Sequence, residues 1–225
     1  MDESAPNRWA TFDCYGTLVD WNGGIGDELE RLFGPGLRDE LLARYHEIEP
    51  QVQAAAPQAP YREVLARTLA GCAEAAGREL PVGEADALAR SLPDWPVFEE
   101  APAALAEARE RGWRLAILSN TDRDFIDASM ERIGVPFELA IVASEIGSYK
   151  PAHGHWREFS ARTGANPSRH VHVAASLFHD VEPCAELGIP CVWANRLGEE
   201  ATAPTAAELP DLARLPDVLD GLVPS

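Results

Sequence analysis

Basic residues are scarce in this chain: 19 Lys and Arg stand against 37 Asp and Glu, a formal charge of −18. So acidic a surface repels nucleic acid and anionic lipid, so neither is an expected partner, although the charge identifies no substrate. Cysteine is scarce too. Cys14, Cys72, Cys184 and Cys191 show no metal-ligand spacing and read as reduced thiols of a cytosolic protein. No apolar run is long enough to cross a membrane, and residues 1–8 lack the apolar centre of a signal peptide. No internal repeat or low-complexity tract is visible. What is present is a chain of 225 residues, long enough to bury a sizeable core as one domain or as one domain with an insert.

Two textures alternate along it. Apolar strand-like runs occur at Trp9–Phe12, Arg114–Leu118, Leu139–Ala143, His170–Ala174 and Cys191–Ala194. Helical segments near 100–111, 122–133, 153–163 and 181–187 alternate with the last four, one before each. Gly112, Gly134, Gly164 and Gly188 follow them as C-terminal caps. Strand and helix in turn predict an α/β fold, a Rossmann-like parallel sheet covered on both faces. Residues 20–98 break the rhythm, with helical periodicity at Leu29–Phe33, Leu37–Ile48, Tyr61–Ala76 and Glu84–Leu92 and prolines between. They read as an all-helical cap inserted after the first strand, so that the core is 1–19 plus 99–225. Leu197 to Pro210 reads as a polar surface loop, and a short helix near Leu212–Leu222 closes the chain.

Four polar elements fall at strand ends. The first is Asp13 with Tyr15, Gly16 and Thr17, in Asp13-Cys14-Tyr15-Gly16-Thr17-Leu18. The second is Ser119-Asn120-Thr121, the third Lys150 in Ser148-Tyr149-Lys150-Pro151, and the fourth Asp180 in Ser176-Leu177-Phe178-His179-Asp180. Taken singly, each could be a helix cap, a turn or a solvated charge. Their joint order at the ends of strands is specific, because that edge is where open α/β sheets present reactive groups. A carboxylate there can act as a nucleophile.

The order and spacing resemble the haloacid dehalogenase superfamily of aspartate-nucleophile hydrolases, and the Asp-x-Tyr-Gly-Thr-Leu form resembles its L-2-haloacid dehalogenase branch. The resemblance implies that Asp13 is the nucleophile and that Thr17 supports it. It implies that Ser119 and Asn120 bind substrate carboxylate and leaving group, that Lys150 steadies Asp13, and that Asp180 serves the hydrolytic step. Arg44, about thirty residues beyond the nucleophile, occupies the place of a halide-binding cap arginine. Trp156 stands where the branch usually carries a tyrosine. The activity implied is displacement of halide from a small 2-haloalkanoic acid through an alkyl ester that water then hydrolyses. The expected partner is a small-molecule substrate, and a homodimer is an allowed assembly.

The residues fit that chemistry on their own terms. An opposite charge lowers a carboxylate pKa, so Lys150 near Asp13 would favour its ionised form. At about 4 Å and an effective dielectric near 20 such a pair is worth up to ~4 kcal/mol before desolvation. Tyr15 argues against the phosphatase branch, which typically has a second aspartate there to protonate a leaving alkoxide. A tyrosine with a pKa of about 10 is a poor acid at neutral pH, and halide needs no proton to leave. His179 beside Asp180 is a poor ligand for hard Mg²⁺, so no metal or other cofactor is expected. His179 could titrate near neutrality or pack. His153 and His155 lack accompanying ligands, and Cys14 reads as a small buried filler. Ala175 and Leu177 replace the usual Ser and Asn that help position water. Ser176 or His179 can supply that polarity, or the site can serve another activated carbon electrophile. A small-molecule phosphatase is the runner-up, and a binding module that keeps only the scaffold is disfavoured by the four polar elements.

Overall fold

The structure, a computed structural model, describes residues 7–57 and 59–225; the first six residues of the polar N-terminal stretch lie outside them. Five strands stand where the apolar runs predict them: β1 (Arg8–Phe12), β2 (Trp113–Ser119), β3 (Leu139–Val142), β4 (His170–Ala174) and β5 (Cys191–Ala194). A sixth, β6 (Ala207–Leu209), corrects the reading of 197–210 as loop throughout. Three residues are too few to display a period, and pairing with Val192–Ala194 is what makes them a strand. The sheet is parallel throughout, in the order β3-β2-β1-β4-β5-β6.

The helical stretch holds α1 (Trp21–Phe33), α2 (Arg38–Ala55), α3 (Tyr61–Ala75) and α4 (Ala87–Ser91), with no strand among the described residues of 20–98. Its two ends run side by side. Asp20 N–H donates to the Pro96 carbonyl at 2.7 Å, and Phe98 N–H to the Leu18 carbonyl at 3.0 Å. The remaining helices are α5 (Ala101–Glu110), α6 (Arg123–Ile133), α7 (Ala143–Ile146), α8 (Gly154–Thr163), α9 (Glu182–Leu187) and α10 (Leu215–Leu222). Gly134 and Gly188 close α6 and α9 in the left-handed conformation, where a Cβ would strain the backbone.

Period-two alternation divides the core. Ala10, Phe12, Leu115 and Ile117 face a cluster that continues into the helical insertion through Leu41, Tyr45, Leu65 and Leu69. Trp9, Ala116, Leu118 and Trp193 face a second cluster with Trp156 and Phe159. Register sets the site. Phe12 lies opposite Ile117 on one side and Val173 on the other, so the C-terminal ends of β1, β2 and β4 form one rim. The strand order reverses direction at β1, which is the crevice where open sheets take ligands.

Candidate active site

Asp13 is the first residue past β1, fixed by its own N–H bonding the Val173 carbonyl at 3.0 Å. The chain then folds back tightly, with three successive amides, Thr17, Leu18 and Val19, donating to the Cys14 carbonyl. Gly16, at φ +90°, supplies the left-handed step this turn needs. The turn places the Thr17 hydroxyl 3.1 Å from Asp13 Oδ2, and that hydroxyl in turn accepts the Ala175 amide at 2.9 Å. Lys150 Nζ donates to Asp13 Oδ1 at 2.8 Å and to Asp180 Oδ1 at 2.6 Å, with the lysine almost wholly buried. The four elements that the sequence places at strand ends therefore meet.

Behind Asp180 lies a relay that the sequence reading did not assign. His172 Nε2 is 2.9 Å from Asp180 Oδ1, His172 Nδ1 is 2.8 Å from Thr11 Oγ1, and Thr11 Oγ1 is 2.8 Å from His170 Nε2. Burial, helped by His172, pushes His170 down to about 3, so it is neutral. The available signal was two histidines at i and i+2 in an otherwise apolar strand, which must share one buried face with Thr11 of the neighbouring strand.

Burial pulls both carboxyls upward, and their surroundings then separate them. Asp13 stays raised: desolvation dominates, and Lys150 opposes it. At Asp180 the Lys150 ammonium and the His172 hydrogen bond outweigh burial and hold the carboxyl well below its usual range. Burial would lower Lys150, but the two carboxylates reverse that and keep it protonated. Asp180 thus serves as the fixed countercharge, and Asp13 is the more basic carboxylate facing the cleft. Burial also lowers His179, leaving a neutral imidazole in the cleft wall, with Nδ1 3.1 Å from Ser176 Oγ. Asp180 and His179 belong to a π-helical turn, Leu177–Val181, which aims one at Lys150 and the other at the cleft.

Three expected residues stand elsewhere or do something else. Arg44 is half exposed and pairs with Glu47 at 2.9 Å. The face of α2 that lines the cleft is His46, Glu49, Pro50 and Gln53, and two residues along a helix is a turn of about 200°, which points Arg44 away. Trp156 is buried on the far side of the sheet, its ring 5.5 Å from His172, so it supports the relay and does not line the cleft. Asn120 does line the cleft, but its amide is spent on the Lys150 main chain through two hydrogen bonds. Ser119 lines the cleft with a buried hydroxyl that has no partner among the described residues. His155 donates to the Ser119 carbonyl at 3.0 Å, and Cys14 is a buried thiol whose pKa burial raises well above normal.

The cleft is a cavity of about 520 Å³ between this floor and the helical insertion. Asp122, past the end of β2, accepts the Tyr61 and Arg62 amides at 2.9 and 3.2 Å, capping α3 and holding Tyr61 over the floor. The donor set does not fit a magnesium ion. The lysine ammonium already joins Asp13 to Asp180, and Tyr15 stands where a second carboxylate would be needed. Among the described residues no three His, Cys, Asp or Glu side chains cluster at metal-binding distance. Among the described residues no helix is long and apolar enough to cross a membrane.

Residues 8–188 match the haloacid dehalogenase-like hydrolase family, and the chain belongs to it: it is an enzyme of the hydrolase class. Over 169 residues it is 33% identical to a phosphoserine phosphatase of Thermus thermophilus, which covers 72% of this chain and 66% of that protein, just under two thirds of the relative's length. Over 191 residues it is 26% identical to an (S)-2-haloacid dehalogenase of Pseudomonas sp. strain YL, covering 83% of this chain and 82% of that one. An L-2-haloacid dehalogenase from Xanthobacter autotrophicus with chloropropionic acid covalently bound shares the fold, with a TM-score of 0.84 at 21% identity over 96% of this chain and 99% of that one.

Proposed function

We propose that this enzyme uses Asp13 to displace halide from a small 2-haloalkanoic acid beneath a helical cap formed by residues 20–98. A carboxylate oxygen of Asp13 attacks the carbon that bears the halogen. The carbon–halogen bond breaks, halide leaves with the electron pair, and an alkyl ester forms on Asp13. Water then adds to the ester carbonyl, the bond from that carbonyl carbon to the alkoxy oxygen breaks, and the 2-hydroxy acid departs with Asp13 restored. Lys150 offsets the negative charge at the floor, and the unpartnered Ser119 hydroxyl donates to the substrate. Ser176 and His179 hold the water where Ala175 and Leu177 offer no polar side chain.

The observation that carries this reading is Tyr15. Its hydroxyl is engaged with Ser129 at 3.0 Å, and burial raises its pKa well above the ordinary phenol value. The cleft therefore lacks a proton donor for an alkoxide at this position, and a leaving group that needs no proton suits it. A second reading, phosphomonoester hydrolysis, is favoured by the 33% identity to a protein called a phosphoserine phosphatase. Assaying 2-chloropropanoate and an aryl phosphate side by side, with Mg²⁺ and with chelator, decides between them. Halide release indifferent to chelator is the expected result; Mg²⁺-dependent phosphate release with no halide release would replace this reading by the second.

A further inference from the structure

The charge balance of the cleft is uneven from floor to roof. Lys150 lies between Asp13 and Asp180, and Arg196 donates to Glu100 at 2.6 Å. These are the two cations among the residues that line the cavity, and both belong to the floor side of the chain. From residues 20–98 come, among others, Asp20, Trp21, His46, Glu49, Gln53 and Tyr61, with no Lys or Arg among the described lining residues of that stretch. His46 adds no charge, because burial lowers its pKa.

The two carboxylates of that stretch differ: Asp20 is engaged by the Gly23 amide as the cap of α1, whereas Glu49 has no main-chain or cationic partner among the described residues. Glu49 is only 5% exposed, yet it faces the cavity. One oxygen accepts a hydrogen bond from Gln53, and the other takes none from the described residues. A buried carboxylate without a cation is unfavourable unless something pairs with it. Around it the roof is aromatic. Trp21 Nε1 donates to the Tyr61 hydroxyl at 3.1 Å, and Tyr61 stacks on Tyr15 with ring centroids 6.4 Å apart. A buried carboxylate without a cation, beside aromatic rings held by one another, is the chemistry that recognises an alkylammonium group.

We propose that the roof of this cleft is a cation subsite, in which Glu49 pairs with an alkylammonium group while Trp21 and Tyr61 pack against its carbons. This rests on the reading of the cleft as the substrate site and narrows its substrate: the molecule carries its halogen and carboxylate toward Asp13 and Ser119, and a positively charged amine at its other end. An unsubstituted 2-haloalkanoate leaves Glu49 unpaired.

The test compares two probes of the same shape and different charge, choline and 3,3-dimethylbutan-1-ol, titrated by calorimetry at pH 8 into the full chain. Wild type should bind choline at least about tenfold more tightly than the neutral isostere. Glu49→Gln should reduce that preference to under about twofold. Asp13→Asn should keep it, because Asp13 belongs to the floor and already has Lys150 as its cation. Equal binding of the two probes by wild type overturns the proposal, and that arm decides without any variant. An unchanged preference in Glu49→Gln, or its loss in Asp13→Asn alone, overturns it as well. Turnover plays no part in the measurement. A failure here leaves Asp13 chemistry standing, and absent halide release with an intact choline preference leaves the subsite standing.

Discussion

Asn120 and Lys150 exchange two hydrogen bonds: Asn120 Nδ2 donates to the Lys150 carbonyl at 2.9 Å, and the Lys150 amide donates to Asn120 Oδ1 at 2.7 Å. The side chain that follows β2 thereby fixes the backbone from which the lysine reaches Asp13. On the proposed mechanism Asn120 would act on the reaction through Lys150.

Asn120→Ala should therefore slow alkylation on the order of 10²-fold, the scale of a misplaced reacting group. It should also cost about 1–3 kcal/mol of stability, because it leaves main-chain groups unpaired. Single-turnover halide release with chloro-, bromo- and iodo-substrates separates positioning from contact. The same fold-loss for all three halides marks positioning; a loss that grows or shrinks with the halide would place Asn120 on the leaving group.

Arg44→Ala should leave alkylation and steady-state rates within about twofold of wild type, since the guanidinium pairs with Glu47 on the outer face of α2. Its stability change should stay within about 0.5 kcal/mol. A fall in rate of tenfold or more at unchanged melting temperature would bring Arg44 into the working cleft.

The contrast between Arg44 and Lys150 shows what the sequence can and cannot convey. Asp13 and Ser119 were legible because one directly follows β1 and the other ends β2; Lys150 and Asp180 lie in the connections that leave β3 and β4, and the parallel sheet brings all four connections to one rim. Arg44 was placed by distance along the chain alone. On a helix, the face that meets the cleft changes with every residue, so His46 and Glu49 line it and Arg44 does not. His172 and Thr11 were legible only in part: the histidine spacing marks one face of β4 but does not name its partner. Their role depends on the β1–β4 register, Thr11 opposite His172, which no local pattern announces. β6 depends on its neighbour in the same way. The helical stretch from residue 20 to 98 was clear in kind, because helical periodicity and proline punctuation are local signals.

Glu49 gives stability a pH dependence of definite sign. Burial pushes its carboxyl up from 4.5 to about 7. Below pH 4.5 the group is protonated both folded and unfolded, and nothing is lost. As pH rises through 4.5 to about 7 the unfolded chain gives up its proton first, so stability falls, on the order of 3 kcal/mol at pH 8. Glu49→Gln should thus melt like wild type at pH 4 and several degrees higher at pH 8 by scanning calorimetry. Equal melting temperatures at pH 8 would mean that Glu49 ionises in the folded protein as freely as in water.

On the proposed mechanism the second half-reaction should be the slower one on simple 2-haloacids. Alkylation by that mechanism needs a carboxylate with a cation beside it, and Asp13 and Lys150 stand together. Ester hydrolysis needs a held water, and Ala175 and Leu177 leave that to Ser176 and His179. Rapid-quench assays should show a burst of about one halide per active site before steady turnover. His179→Ala should keep the burst and slow the steady state about tenfold or more, by analogy with loss of a proton-handling group. Ala175→Ser with Leu177→Asn should speed the steady state more than the burst. Linear halide release from the first turnover would show that hydrolysis is not limiting.

Intact-protein mass spectrometry after brief exposure to a panel of 2-haloacids and amine-bearing 2-haloacids tests the central claim, that Asp13 is the nucleophile. Wild type should gain the mass of one alkyl group less a proton, mapped by proteolysis to Asp13, and Asp13→Asn should gain nothing. An adduct on another residue, or halide release by Asp13→Asn at the wild-type rate, would contradict the account.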